Sequence, residues 1–297
     1  MEFRFACAAT FATVLMGFGP ALAADSASAA ALAAVADAAR PHWDIPRDPA
    51  RHPAELVTFS QIKRGDVVVD LVPGGVYYTR ILAKLVGKAG KVYAVVPTRE
   101  AGDTRKQGTH DAIAIPQELE AVSDFSNVTA MWTDLKQYGA QFPFPEQLDA
   151  VFTADGYHGL YDKTGIGGDG DMPAISRAIF RALKPGGVFV VVDYAAAKGA
   201  GASVARALGR IDVDVIKADL TQAGFVVDGE SQLLANASDD RNKAIDPKTA
   251  DKADQFVIRF KKPANASPAT KRPQTDPLKN YYGNTYVYNV GAGGDVS

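Results

Sequence analysis

Between residues 55 and 263, short runs of consecutive apolar, β-branched residues alternate with helical stretches. Val67-Val68-Val69-Asp70-Leu71-Val72 reads as a buried strand, followed by a helix over 78–86 and a second strand over 91–96. Further strands are expected at 127–132, 148–153 and 188–193, then at 225–227 and 255–260. A helix over 54–59 precedes the first strand, and the chain turns near Lys63-Arg64-Gly65-Asp66. Apolar runs that do not alternate with polar residues mark strands covered on both faces, hence a mainly parallel, doubly wound α/β sheet.

The flanks read differently. After Arg4 no charge occurs until Asp25, residues 5–18 are apolar, and Ala21-Leu22-Ala23 has small residues at the spacing of a leader cleavage site. That pattern predicts a signal peptide over 1–23 and export, periplasmic or extracellular. The competing reading is a membrane anchor, which needs about 20 strongly apolar residues; here the run is diluted by Ala, Thr, Gly and Pro20. No later segment is long and apolar enough to span a bilayer. Residues 24–54 form an Ala-rich, then Pro-dense leader, and His42 and Trp43 would act as a lid or pack. Residues 97–126 show little periodicity beyond a helix near 116–122, and 162–172 form a Gly/Asp loop. Residues 264–297 begin as a linker and end in Tyr281, Tyr282, Tyr286 and Tyr288, which would dock as an added strand.

Composition narrows the partners. With 32 Lys+Arg against 34 Asp+Glu the chain has no basic surplus for nucleic acid. The sole cysteine, Cys7, excludes an intramolecular disulfide and a Cys-based zinc site, and it leaves with the signal peptide. Asp169-Gly170-Asp171 with Asp162 lacks the ligand count and terminal Glu of an EF-hand, so no metal is expected.

The candidate chemistry begins at Asp70-Leu71-Val72-Pro73-Gly74-Gly75-Val76-Tyr77-Tyr78-Thr79. A strand ending in an acid, a glycine turn and a helix is where open α/β sheets approach a cofactor, although the same string also suits an ordinary tight turn. Downstream, a helix over 177–183 runs into Lys184-Pro185-Gly186-Gly187 and a strand, and Leu220-Thr221-Gln222-Ala223-Gly224-Phe225 repeats the helix-to-glycine-to-strand exit. This ordered set resembles the class I S-adenosylmethionine-dependent methyltransferases over about 55–263. Arg51-His52-Pro53-Ala54-Glu55-Leu56, the Pro73 to Thr79 turn and the Asp239-Asp240-Arg241 to Asp254-Gln255-Phe256 region are similar to exported bacterial proteins described as predicted methyltransferases.

The resemblance implies a seven-stranded Rossmann-like sheet with an antiparallel last strand and S-adenosylmethionine as cofactor. It places the cofactor against Asp70, Pro73, Gly74, Gly75, Tyr78, Asp134 and Asp155. Asp155 and His158 follow the fourth strand, where they would orient or deprotonate an acceptor; His158 titrates near neutrality, and a structural role is its alternative. Tyr157, Asp193, Tyr194, Asp240 and Arg241 would face the substrate; Tyr157 would otherwise wall the pocket, and Asp240 and Arg241 would otherwise form a salt-bridged surface loop. Asp134 would otherwise cap a helix. The chain departs from the family pattern at Val72 and Val76, which replace glycines, and at Val96, where an acid normally binds ribose. Val76 would intrude on the cofactor, and the missing ribose acid removes two charge-assisted hydrogen bonds, each worth about 1.5–3 kcal/mol. The leading expectation is methyl transfer to an unidentified small or exported acceptor. The alternative is an exported, non-enzymatic binding protein on the same fold. A nucleotide-dependent oxidoreductase is disfavoured, because the Gly-x-Gly-x-x-Gly fingerprint is absent.

Overall fold

The computed structural model describes residues 20–98, 125–134, 144, 147–163, 171–266 and 285–289. Its strands are β1 (Val67–Leu71), β2 (Lys91–Thr98), β3 (Val128–Asp134), β4 (Leu148–Ala154), β5 (Leu183–Tyr194), β6 (Val226–Ser231), β7 (Gln255–Lys261) and β8 (Thr285–Asn289). They make one sheet in the order β6-β7-β5-β4-β1-β2-β3-β8. Strands β1 to β5 pair in parallel, and β7 runs antiparallel between β5 and β6. This is the doubly wound, mainly parallel sheet expected, with its antiparallel last strand. The tyrosine-tipped tail adds an eighth strand, antiparallel on β3.

Five helices matter here: α1 (Pro20–Val35), α2 (Pro53–Ser60), α3 (Tyr77–Val86), α4 (Met172–Ala182) and α5 (Val213–Gln222). The side-chain period of 2 in a strand sends successive residues to opposite faces. Val68, Phe152 and Val190 therefore join Leu56, Ile81 and Leu82 on one side, while Val69, Val151 and Phe189 meet Ile175, Ile179 and Leu220 on the other. Two cores flanking one sheet are why the strands read as continuous apolar runs. Helix α4 ends where the Lys262 ammonium donates to the carbonyls of Phe180 (2.9 Å) and Leu183 (2.7 Å).

Strand β5 starts earlier than expected. Its register on β4 jumps from Leu148↔Leu183 to Ala150↔Val188, so Lys184-Pro185-Gly186-Gly187 is a bulge within the strand, not a loop before it. At the N-terminus, α1 passes continuously through Ala23, and its buried Ala31 and Ala34 join the first core. Among the described residues no helix is long and apolar enough to cross a membrane.

The chain leaves β1 toward β2 and leaves β4 toward β5. The adjacent carboxyl ends of β1 and β4 thus flank a topological switch point, the place where open α/β sheets bind ligands.

Candidate functional site at the carboxyl edge of the sheet

The turn from β1 into α3 keeps a glycine-type backbone although valines stand in it. Val72 and Val76 have φ of +59° and +54°, beside Gly74 at +52°. A β-branched residue in this left-handed region is strained, by about 1–3 kcal/mol, and persists only where the surroundings impose the shape. The expected intrusion of Val76 is corrected by its burial: its side chain is 0% exposed and packs in the core beneath the turn. Pro73, Gly74 and Gly75 form the outer rim, and a Cβ added at Gly74 or Gly75 would meet nothing within 4 Å. The Val72 side chain leans across to the β4 turn. A Cβ at Gly156 would lie 2.6 Å from Val72 Cγ1, so only glycine fits where the two turns meet.

Asp70, the next-to-last residue of β1, is 2% exposed and accepts a hydrogen bond from the Thr79 hydroxyl at 2.6 Å. Burial pushes its carboxyl up to about 7, against the opposing effect of the Thr79 bond. Tyr78 is buried on the Phe152 ring at 5.1 Å, and burial holds its phenol protonated. At the end of β2, half-buried Val96 packs against the core and offers no acceptor. Asp134 is the last residue of β3, paired in register with Thr98; its side chain, like residues 169 and 170 of the Gly/Asp loop, lies outside the described parts. Among the described residues no group of three or more His, Cys, Asp and Glu could hold a metal ion.

Two carboxylates organise the ends of β4 and β5. Asp193, wholly buried at the end of β5, accepts from the backbone N–H of Tyr194 at 2.8 Å and from that of His158. Its Oδ1 lies 2.8 Å from His158 Nδ1. That contact places the proton on Nδ1 in the neutral ring and leaves Nε2 as the free base, near Gly209. Burial lowers the His158 pKa, but the charge of Asp193, the bond to it and the charge of Asp155 together raise it above the ordinary value. Asp193→Asn should therefore drop the His158 pKa below about 6.5, the unperturbed value, which a nuclear magnetic resonance titration of the ring protons will read. A titration unchanged by the substitution contradicts the pairing.

Asp155, with φ +64°, is not free to act as a base. Arg51 donates to its Oδ2 at 2.7 Å and the Gln255 side-chain amide donates to its Oδ1. Gln255 opens β7, and because β7 is antiparallel its first residue arrives opposite Tyr194 at the same edge. Tyr157, expected to face substrate, is 0% exposed and stacks edge-on with Phe189 at 5.6 Å within the second core. Tyr194 lies 6.1 Å from the His158 ring, at the rim. Arg241 pairs with Asp254 at 2.7 Å. It lines a cavity of about 290 Å³ together with Asp212 and Gln255, next to the Asp155 group. Asp240 lies in an exposed turn, capping the Asn242 N–H at 3.1 Å.

Residues unmarked by any motif complete the edge. Arg47 and Arg51 both donate to Asp251, at 2.9 and 2.7 Å, and Arg80 forms a buried pair with Asp44 at 2.7 Å while also donating to the Gly75 carbonyl at 3.1 Å. The lid expectation thus moves from His42 and Trp43, both exposed, to the arginines that follow them. Arg51 and Asp251 each lie within a stretch similar to exported proteins, but the sequence marks neither as a site residue; Asp251 reaches the site only through a loop 200 residues downstream.

No protein-family model matches the chain, and no curated protein sequence matches it. Solved structures do resemble it. An S-adenosylmethionine-dependent methyltransferase from Aquifex aeolicus is 17% identical, with a TM-score of 0.48 over 73% of this chain and 95% of that one. One from Mesorhizobium loti is 16% identical, with a TM-score of 0.48 over 72% and 99%. An arsenic(III) S-adenosylmethionine methyltransferase from Chlamydomonas reinhardtii is 18% identical, with a TM-score of 0.47 over 81% and 76%. Likeness this distant leaves the chemistry to be read from the chain's own side chains.

Proposed function

We propose that this protein transfers a methyl group from S-adenosylmethionine to a small or exported acceptor, and that it works outside the cytoplasm after losing residues 1–23. The supporting observation is the β1–α3 turn. Val72 and Val76 hold the left-handed backbone that glycines would adopt, and Val76 is turned into the core. The strained shape of the turn is kept while its rim at Pro73, Gly74 and Gly75 stays open to a ligand.

Asp70, Pro73, Gly74, Gly75 and Tyr78 would hold the cofactor, which when bound supplies an electrophilic methyl on a sulfonium. The protein's own part is positioning and proton handling. Held by Asp193, His158 accepts the acceptor's proton at Nε2 as the nucleophile attacks; the imidazolium that forms is stabilised by the buried carboxylate 2.8 Å away. Tyr194 and Arg241 would line the approach for the acceptor.

Calorimetric titration of the chain beginning at residue 24 with S-adenosylhomocysteine should show saturable binding; no heat at millimolar ligand ends this reading. A second reading, a non-enzymatic binding protein, draws on one feature: Val96 leaves a cofactor ribose without its acid. Under methyl transfer, Val96→Asp should tighten S-adenosylhomocysteine binding by tenfold or more, since one charge-assisted bond is worth about 1.5–3 kcal/mol. Binding that appears only in the variant favours the second reading. Cell fractionation with amino-terminal sequencing tests export and the cleavage site together.

A further inference from the structure

The edge of the switch point already contains a bound cation, and it belongs to the protein. The Arg51 guanidinium lies 4.9 Å from the Tyr77 ring centre and 5.7 Å from that of Tyr78. It bridges the Asp155 and Asp251 carboxylates, each at 2.7 Å, with its side chain 10% exposed. Two aromatic faces and two carboxylates around one positive group form the surroundings that suit an alkylated ammonium or guanidinium. We propose that this box is a binding site for a small organic cation and that Arg51 is its resident stand-in, displaced when such a ligand arrives.

The local charge explains why the ligand must be positive. Arg40, Arg47 and Arg51 are matched by Asp48, Asp251 and Asp155 through the contacts they make. If Arg51 leaves, Asp155 keeps only the neutral amide of Gln255 as its partner, with Asp193 and Asp251 adding repulsion nearby. A buried carboxylate stripped of its counter-charge is strongly unfavourable. An anionic or neutral ligand cannot replace what Arg51 supplies; a cation can.

The segment that carries Arg51 is short and lies between two anchors. Asp44 is pinned by the buried pair with Arg80, whose side chain is 0% exposed. Beyond the single helical turn Asp48–Arg51, α2 is anchored by Leu56 and Val57 in the core. Between these anchors the turn is held by the side chains of Arg47, Asp48 and Arg51, and His52 joins it to α2 at φ +44°. Displacement of Arg51 would require residues 45–52 to swing while both ends stay fixed. The box shares Tyr78 with the proposed cofactor residues, but its probe carries no adenosine, so its failure and the failure of methyl transfer are distinguishable.

The test uses tetramethylammonium chloride against sodium chloride at equal ionic strength and a fixed pH of about 8. In the unmodified chain, the tetraalkyl cation should accelerate amide hydrogen exchange over residues 45–52. Arg51→Ala should gain a tetramethylammonium-dependent rise in Tm of about 2–4 °C near tenfold saturation, while Arg51→Lys, which keeps its own cation, should gain none. Adding Asp155→Asn to Arg51→Ala should abolish the rise. Equal responses to both salts, or a rise that survives Asp155→Asn, overturns the proposal. Should Arg51→Ala fail to fold, the exchange experiment decides alone: no acceleration over 45–52 refutes displacement.

Discussion

Asp44→Ala should lower the stability of the folded chain by up to about 3–5 kcal/mol, the cost of breaking a buried ion pair from one side. The Arg80 guanidinium makes two bonds to Asp44, at 2.8 and 2.7 Å, and both side chains are almost wholly excluded from water. Because Arg80 also holds the Gly75 carbonyl, the damage should extend beyond stability. The turn after β1 should loosen, and exchange of the Gly74 and Gly75 amides should quicken. Denaturant unfolding gives the first effect and hydrogen exchange the second. Replacing both partners by apolar residues of similar volume should cost much less, since then no charge is buried alone. A single substitution that costs under about 1 kcal/mol would place the pair among the weak surface bridges.

The second large effect is a pH dependence. The folded Asp70 carboxyl titrates near 7 because it is buried, against about 3.8 when exposed. The fold therefore prefers the protonated acid, and its contribution to stability is complete below pH 3.8. As pH rises from there through 7 the unfolded chain has already released the proton, and stability is lost by up to about 1.4 kcal/mol per pH unit. Asp70→Asn removes the ionisation while its amide oxygen can still accept from Thr79. The variant should gain on the unmodified chain by roughly 2–4 kcal/mol between pH 4 and pH 8. Comparing the two proteins isolates Asp70 from Asp48 and Asp251, whose arginine partners hold their carboxyls below the usual range and whose contributions run the opposite way. Parallel stability curves for the two proteins would refute the assignment.

The valines show how far a motif can be read from letters alone. By identity, Val72 and Val76 count against a cofactor loop, because glycine is the residue that tolerates the turn and clears the way. Their backbone angles show the turn retained, and the burial of Val76 shows that its side chain points away from the rim. A letter gives side-chain volume, not direction; direction follows from how α3 docks on the sheet. His158 and Asp193 were each legible as candidates at strand ends. Their pairing was not, because 35 residues separate them and only the adjacency of β4 and β5 brings them together.

By itself the sequence determined the doubly wound sheet, nearly all its strands and the glycine turn after the first of them. These follow from local periodicity and from glycines and prolines placed between apolar runs, which act over a few residues. Only the tertiary structure decided that Asp155 is neutralised by Arg51, that Asp193 sets the tautomer of His158, and that Arg80 anchors the leader beneath the glycine turn. Those contacts join residues 35 to 104 positions apart. Charge pairs of this kind are fixed by burial and distance, and both quantities exist only once the strands are in order.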